Sequence, residues 1–442
     1  MSNFFYYLFI TAAFSIGSIR IAYAQTPLSL DDAVRIGLEQ NRALKISMLK
    51  AKSVGESRIK ETEAERLPSL KLYGSYTRLS DIGPSIIAVP VPGVQPLSFQ
   101  TYLLNNYSLR LSLLQPIFTG FRLQNIQNAA EHTSSAAQED YKADQRGTIF
   151  TIKQQYWMLY RLQRTLDAVN KSLDESRARM VDIRSKLEKG LVLPNDTLKM
   201  QVQVSNNRLK KMQTEKDIRL ASASLMNTLG LPLDEKVTLT TVANEVPPPQ
   251  KSMAELIEIA KHRRSELKAI DERIEAARAN VKIAKAGYWP QVSLEGNLYY
   301  ADPNQRYFPV KDAFKTTWDA SINLSWDVWT WNIAGLQAEQ ADYSVQQLQE
   351  VRKQTEEAIA LEITQTYLTM QTGFAAIDIA KQAAEQAREN LRIVNLQYSK
   401  GVATSLDVTS AETLTLDADI NVATAITDAN IGVAQMARVV GE

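Results

Sequence analysis

The feature that most constrains this chain is a long apolar seam that occurs twice. Between Gly120 and Gly190, apolar residues fall at Ile149, Ile152, Tyr156, Leu159, Leu162, Leu166, Val169, Leu173, Met180, Ile183 and Leu187. The gaps are threes, fours and one seven, the spacing that keeps one face of a supercoiled helix apolar. No proline interrupts the run. It predicts one helix over 120–189, on the order of 100 Å long at ~1.5 Å rise per residue. The seam returns 211 positions later as Ile363, Tyr367, Met370, Phe374, Ile377, Ala384, Leu391, Val394 and Tyr398. Lys189-Gly190 returns as Lys400-Gly401, and Asp196 as Asp407. The chain therefore reads as an internal duplication with a period of about half its length.

The repeats are assigned to 25–246 and 252–442, with the Pro-rich linker 247–251, containing Pro247-Pro248-Pro249, between them. Each begins with an amphipathic segment. The first is expected as one helix from Leu30 to about Arg66, with Ser29-Leu30-Asp31-Asp32 as its capping box. Its counterpart runs from about Ser252 to Trp289-Pro290. After each proline the apolar period changes from 3.6 to 2, predicting strands over 69–77, 106–114, 291–300 and 317–326. The first long helix is followed by a return helix over 194–229. The second long helix is expected over 333–399, with a return helix over 404–440.

Residues 1–24 read as a secretory signal: Phe4 to Ile16 is an apolar core, and Ala22-Tyr23-Ala24 is a small-x-small cleavage site before Gln25. The alternative is a retained membrane anchor. The chain has no cysteine, so disulfides, thiolate metal sites and an acylated N-terminal Cys are all excluded. Net charge is +1, from 50 Lys+Arg against 49 Asp+Glu, which gives no basic excess for a nucleic-acid partner. Beyond residue 24 no apolar run reaches the ~18 residues of a membrane helix. If the mature chain crosses a membrane, it does so with strands.

Alternation alone fits either two hairpins on a soluble core or a transmembrane barrel. Three features favour the barrel. Aromatics sit near strand ends (Tyr76, Tyr107, Tyr300, Trp318, Trp326, Trp329). Long polar loops, 78–105 and 301–316, join the strands. The helices use their apolar faces on their own seams, leaving no layer to cover a sheet. Four strands cannot close a barrel, and open edges are not tolerated in lipid, so copies must assemble; three give twelve strands.

In this order and duplication, "ERLPSL" and "GYWPQVSL" before the strands, "QPIFTG" after them, and "KG" turns followed by "LPND" and "ATSLDV" resemble the TolC-like outer-membrane efflux channels over residues 28–442. The resemblance implies a mainly α fold with a β-barrel part. Long coiled-coil helices would form a periplasmic α-barrel, and a homotrimer would pool four transmembrane strands per protomer into a twelve-stranded barrel in outer-membrane lipid. It implies a passive exit duct for small molecules, metal ions or proteins, docked to a periplasmic adaptor and an inner-membrane pump. The alternative is a periplasmic coiled-coil scaffold or adaptor without a barrel.

The resemblance places a pore or gate at Asp407, Asp196 and Tyr398, and adaptor-docking turns at Lys189, Gly190, Lys400 and Gly401. Rings of three carboxylates at a constriction would attract cations. Read from the residues alone, Asp196 and Asp407 complement the N-termini of the return helices, and the lysines face helix C-termini. A second acid that family members often carry is Ser410 here, and Ala403 stands in place of the family's gating arginine. Lys71, Arg110, Glu295 and Asp319 fall on the polar strand face and would line a barrel lumen, or merely a solvated sheet face. His132 and His262, the only histidines, read as surface residues. No catalytic constellation, cofactor motif or metal-ligand spacing is expected.

Overall fold

The computed structural model describes residues 26–81, 83, 85–87, 93, 97–99, 103–243, 250–308 and 310–442. The signal segment 1–24 and linker residues 247–249 lie outside the described residues. In chain order, β1 (Thr26–Leu28), α1 (Leu30–Gln40), α2 (Arg42–Lys52) and α3 (Arg58–Ala64) precede β2 (Ser69–Arg78). Then come β3 (Ser85–Ile87), β4 (Leu97–Phe99), β5 (Asn105–Phe118), α4 (Arg122–Glu188), α5 (Pro194–Leu229) and β6 (Val237–Leu239). The rest is α6 (Met253–Arg263), α7 (Ser265–Lys285), β7 (Gln291–Asp302), β8 (Lys315–Ser325), α8 (Ile333–Ser399) and α9 (Ser405–Val440). Helices α4 and α8 each have 67 residues, and α5 and α9 each have 36. Among the described residues no helix is long and apolar enough to cross a membrane.

The segment expected as one helix over 30–66 is broken. Asn41 has an extended ψ of 122° and its side chain accepts from the Leu44 amide, so it caps a new helix instead of continuing the old one. A π-turn over Ser53–Ser57 follows, where a Cβ on Gly55 would lie 2.6 Å from Ser134 Oγ of α4. The second half breaks at the matching place, Arg264, between α6 and α7. There the buried guanidinium donates to the Val439 carbonyl at 3.1 Å and pairs with Glu362 at 3.2 Å. Leu256, Leu267, Ile359, Ile363 and Met370 form the core around it. Both breaks come from a polar side chain finding a better partner than the helical ladder offers, which apolar periodicity does not report.

The chain divides into two units. One comprises Asn41–Phe150, Val246–Ala375 and Gly432–Glu442 and carries an antiparallel sheet of order β2-β5-β7-β8. The strand expected to stop at Leu114 runs on to Phe118, through Pro116 and a register shift against β7. Because β2 has already ended at this point, β5 has a partner on one side only, where a proline is tolerated. Strand β8 begins at Lys315 and ends at Ser325, leaving Trp326 outside it. Loop 78–105 includes a short antiparallel pair, β3 with β4. Among the described residues β2 and β8 pair on one side only.

The other unit comprises Met1–Gln40, Thr151–Glu245 and Ala376–Ile431. Its core packs Leu28, Ala33, Ile152, Tyr156, Leu159, Leu225, Met226 and Leu229. Strand β1 pairs in parallel with β6. The fully buried Tyr156 hydroxyl fixes this pair to α4: it donates to the Leu28 carbonyl at 3.0 Å and accepts from the Thr241 amide at 3.0 Å. Tyr156→Phe strands both backbone groups, so it is expected to lower stability by about 1–3 kcal/mol, measured by urea unfolding in detergent. An unchanged midpoint would show that water replaces the hydroxyl.

Candidate functional site

Two surfaces carry the residues that the sequence singles out: the helix turns at Gly190 and Gly401, and the polar face of the sheet. At the first turn Gly190 takes φ +71°, and its amide bonds to Leu187 O at 2.9 Å, closing α4. Pro194 opens α5, and the Asp196 carboxylate accepts from the Leu193 amide at 3.3 Å. At the second turn Gly401 has φ +74°, and its amide bonds to Tyr398 O at 3.1 Å. Asp407 there accepts from both the amide and the hydroxyl of Thr404 at 2.7 Å, while Thr404 Oγ1 accepts from the Asp407 amide at 3.3 Å. That is a reciprocal cap. The Thr404 amide bond, then the hydroxyl bond, hold the Asp407 carboxyl below the usual aspartate range. Both acids thus cap return helices. Lys189 and Lys400 are exposed beside the two glycines.

Tyr398 instead sits in a cross-helix cluster that sequence reasoning missed. Its hydroxyl donates to Asp182 at 3.4 Å, and Lys186 lies 4.1 Å from its ring centroid while pairing with Asp182 at 2.9 Å. One turn along, Arg179 on α4 forms an ion pair with Glu412 on α9 at 2.5 Å and donates to Asn395 on α8 at 3.3 Å. Glu412 is only 3% exposed. Burial pushes its carboxyl up, against the opposing pull of Arg179. The signal was present as broken repeat symmetry: the positions matching Arg179, Asp182 and Glu412 in the other half are Asn390, Ile393 and Gln201.

On the sheet, strand register puts Lys71, Ser112, Asn297 and Asp319 in one row. The next row holds Tyr73, Arg110, Tyr299 and Thr317. Lys71, Arg110, Glu295 and Asp319 therefore share the polar face. Arg110 stacks 4.5 Å over the Tyr73 ring. Glu295 accepts from Asn323 at 3.1 Å and Asn297 at 3.2 Å, whereas Asp319 accepts from Asn297 at 2.9 Å and pairs with Arg306. The opposite face presents Leu70, Leu72, Leu109, Leu298, Trp318, Ile322 and Leu324, all exposed; Ile322 is 75% accessible. Beyond β8, Trp326, Val328, Trp329 and Trp331 are exposed as well. The rings of Trp329 and Trp331 meet edge-on at 5.6 Å. Trp331 and Asn332 both have positive φ, and Tyr288 OH holds the turn by donating to Asn332 at 2.9 Å. Tryptophans at the end of a lipid-type strand face form an interfacial belt. His132 contacts Glu272 of α7 at 2.8 Å and links two helices.

The sheet is apolar on one side and polar on the other, and among the described residues each of its two edge strands pairs on one side only. The chain belongs to the outer membrane efflux protein family, whose sequence model matches residues 37–231 and 256–442. It is 20% identical over 315 residues to outer membrane protein TolC of Vibrio cholerae, covering 71% of this chain and 72% of that one. The fold matches the outer membrane protein VceC of Vibrio cholerae with TM-score 0.73 and 19% identity, over 93% of this chain and 96% of that one. It matches the CmeC outer membrane channel of Campylobacter jejuni with TM-score 0.77 and 14% identity, over 93% and 85%. The protein is an outer-membrane exit duct of an efflux system, in a family of channels.

Arg179→Met would leave Glu412 buried without its cation, and is expected to cost about 3–5 kcal/mol. Hydrogen exchange should show the loss in α9 around Glu412; unchanged protection there would remove the pair from the structure's supports. A carboxyl lowered by its cap stabilises above its ordinary range and loses that contribution only as pH falls through the lowered value. The Thr404 amide should therefore stay protected below the usual aspartate range, and lose protection at neutral pH in Asp407→Ala.

Proposed function

We propose that the duct is a homotrimer in which β2 of each protomer pairs with β8 of the next, giving twelve strands in outer-membrane lipid. The observation that carries this is the pair of unpaired sheet edges beside a lipid-type face. A backbone edge left open in hydrocarbon costs several kcal/mol per group, so pairing between copies is the inexpensive solution. The repeats, 25–246 and 252–442, supply two strands and two long helices each, and the long helices are the periplasmic part of the duct.

The turns at Lys189-Gly190 and Lys400-Gly401 receive a periplasmic adaptor, which couples the duct to an inner-membrane pump. Asp196, Asp407 and Tyr398 lie at the periplasmic gate, and Lys71, Arg110, Glu295 and Asp319 line the lumen. Transport through the duct is passive: its side chains set size and charge preference, and the pump supplies energy. The helix contacts Tyr398–Asp182 and Arg179–Glu412 support a closed gate held by side chains on neighbouring helices, to which the uncharged Ala403 and Ser410 add no ion pair.

The absence of native cysteine makes the assembly testable. Cysteine pairs scanned along β2 and β8 sit on opposite edges of a four-stranded sheet, three inter-strand spacings of ~4.8 Å apart, beyond disulfide reach inside one protomer. Oxidation in membranes is expected to give a ladder ending at three chains. Monomers across the whole scan would overturn the trimer.

A further inference from the structure

The loop following β7 folds back over the polar face of the sheet. Asn304, 4% exposed, fastens it: its Nδ2 donates to Lys315 O and Thr317 Oγ1 at 3.0 Å, and its Oδ1 accepts from the Arg306 amide at 3.1 Å. Arg306 then reaches across the face. Its Nη1 donates to Trp318 O at 2.7 Å, its Nη2 pairs with Asp319, and its guanidinium lies 5.2 Å from the Tyr299 ring centroid. Beneath the loop is a cavity of about 500 Å³ lined by Ser75, Thr77, Asn106, Ser108 and Thr317, which spans all four strands. The Arg306 side chain remains half-exposed, so the charge is presented to water instead of sealed in a core.

We propose that Arg306 is a selectivity-setting residue of the duct: a cation carried inward by the β7–β8 loop that cancels Asp319 at the outer mouth of the lumen. The inference rests on the exit-duct role, which turns the apolar face to lipid and the polar face to the lumen. The loop joins the ends of β7 and β8 remote from the strand-to-helix junction at Trp326–Trp331, which places it at the outer side. Of the two carboxylates on this face, Glu295 is bonded by amides and a hydroxyl, whereas Asp319 has a guanidinium. A pore's ion preference follows the uncompensated charge within about a Debye length of its axis. With Arg306 in place Asp319 contributes little; without it, each protomer adds one fixed negative charge to the mouth.

The test is reversal potential in planar bilayers under a KCl gradient, with the full-length protein purified from membranes. Arg306→Ala and Arg306→Gln should each raise the potassium-over-chloride permeability ratio about twofold or more. Asp319→Asn should shift it the opposite way, and Arg306→Ala with Asp319→Asn should return it to the wild-type value. Equal ratios in wild type and both Arg306 variants would overturn the assignment, as would a double variant that keeps the single-variant shift. Absence of any conductance in the wild type would instead defeat the duct reading on which the assignment stands.

Discussion

An amide or carbonyl inside hydrocarbon has no water to bond, so a strand edge that is harmless in a soluble protein is not tolerated there. That constraint organises the sheet. Among the described residues strands β2 and β8 each have one bonded flank. The central pair, β5 and β7, is satisfied within the chain over most of its length. The same surroundings account for the side chains. Among the described residues, leucine, isoleucine, tyrosine and tryptophan cover one face with no protein layer above them, an arrangement that water would penalise and lipid rewards. The other face keeps serines, asparagines and five charged residues, Lys315 among them, that lipid would penalise.

The turns obey a different economy. Each long helix stops at a glycine in the left-handed region, and each return helix starts on an acid that accepts from its own N-terminus. This backbone solution is the same in both halves. What differs is the side chains that cross between helices. Arg179 grips Glu412 and Asn395, and Lys186 with Asp182 brackets Tyr398. The caps close each turn locally; the crossing contacts tie neighbouring helices together. A buried ion pair adds little net stability, but its geometry is demanding, so it fixes one arrangement of three helices against near alternatives.

Much of this was legible in the sequence for a simple reason: long elements repeat their signal many times. The seams through Ile152 and Ile363 gave α4 and α8, whose observed ends differ from the expected ones by no more than two residues. Alternation through Leu70 to Tyr76 and Trp318 to Leu324 gave the faces of the sheet. The misses are single-residue events. Asn41 and Arg264 break helices because their side chains find partners that a periodicity count ignores. Pro116 failed to stop β5 because its neighbour on that side had already ended. Asp319 was legible as a residue of the polar face, yet its partner Arg306 lies in a loop with no pattern to read. Asp407 was readable both as a cap and as a gate residue, and its bonds to Thr404 display the first of these.

The tandem copies have also drifted apart in particular places, and covalent fusion gives that drift a meaning. The ledge of tryptophans follows β8, while the corresponding stretch, the end of β5 and the two residues after it, reads Gln-Pro-Ile-Phe-Thr-Gly. The Arg179 and Glu412 positions are neutral in the opposite copy. A ring made from separate, identical half-length pieces would have to wear every ornament at every station. Tethered unequal halves escape that rule, so each half can carry side chains that the other lacks.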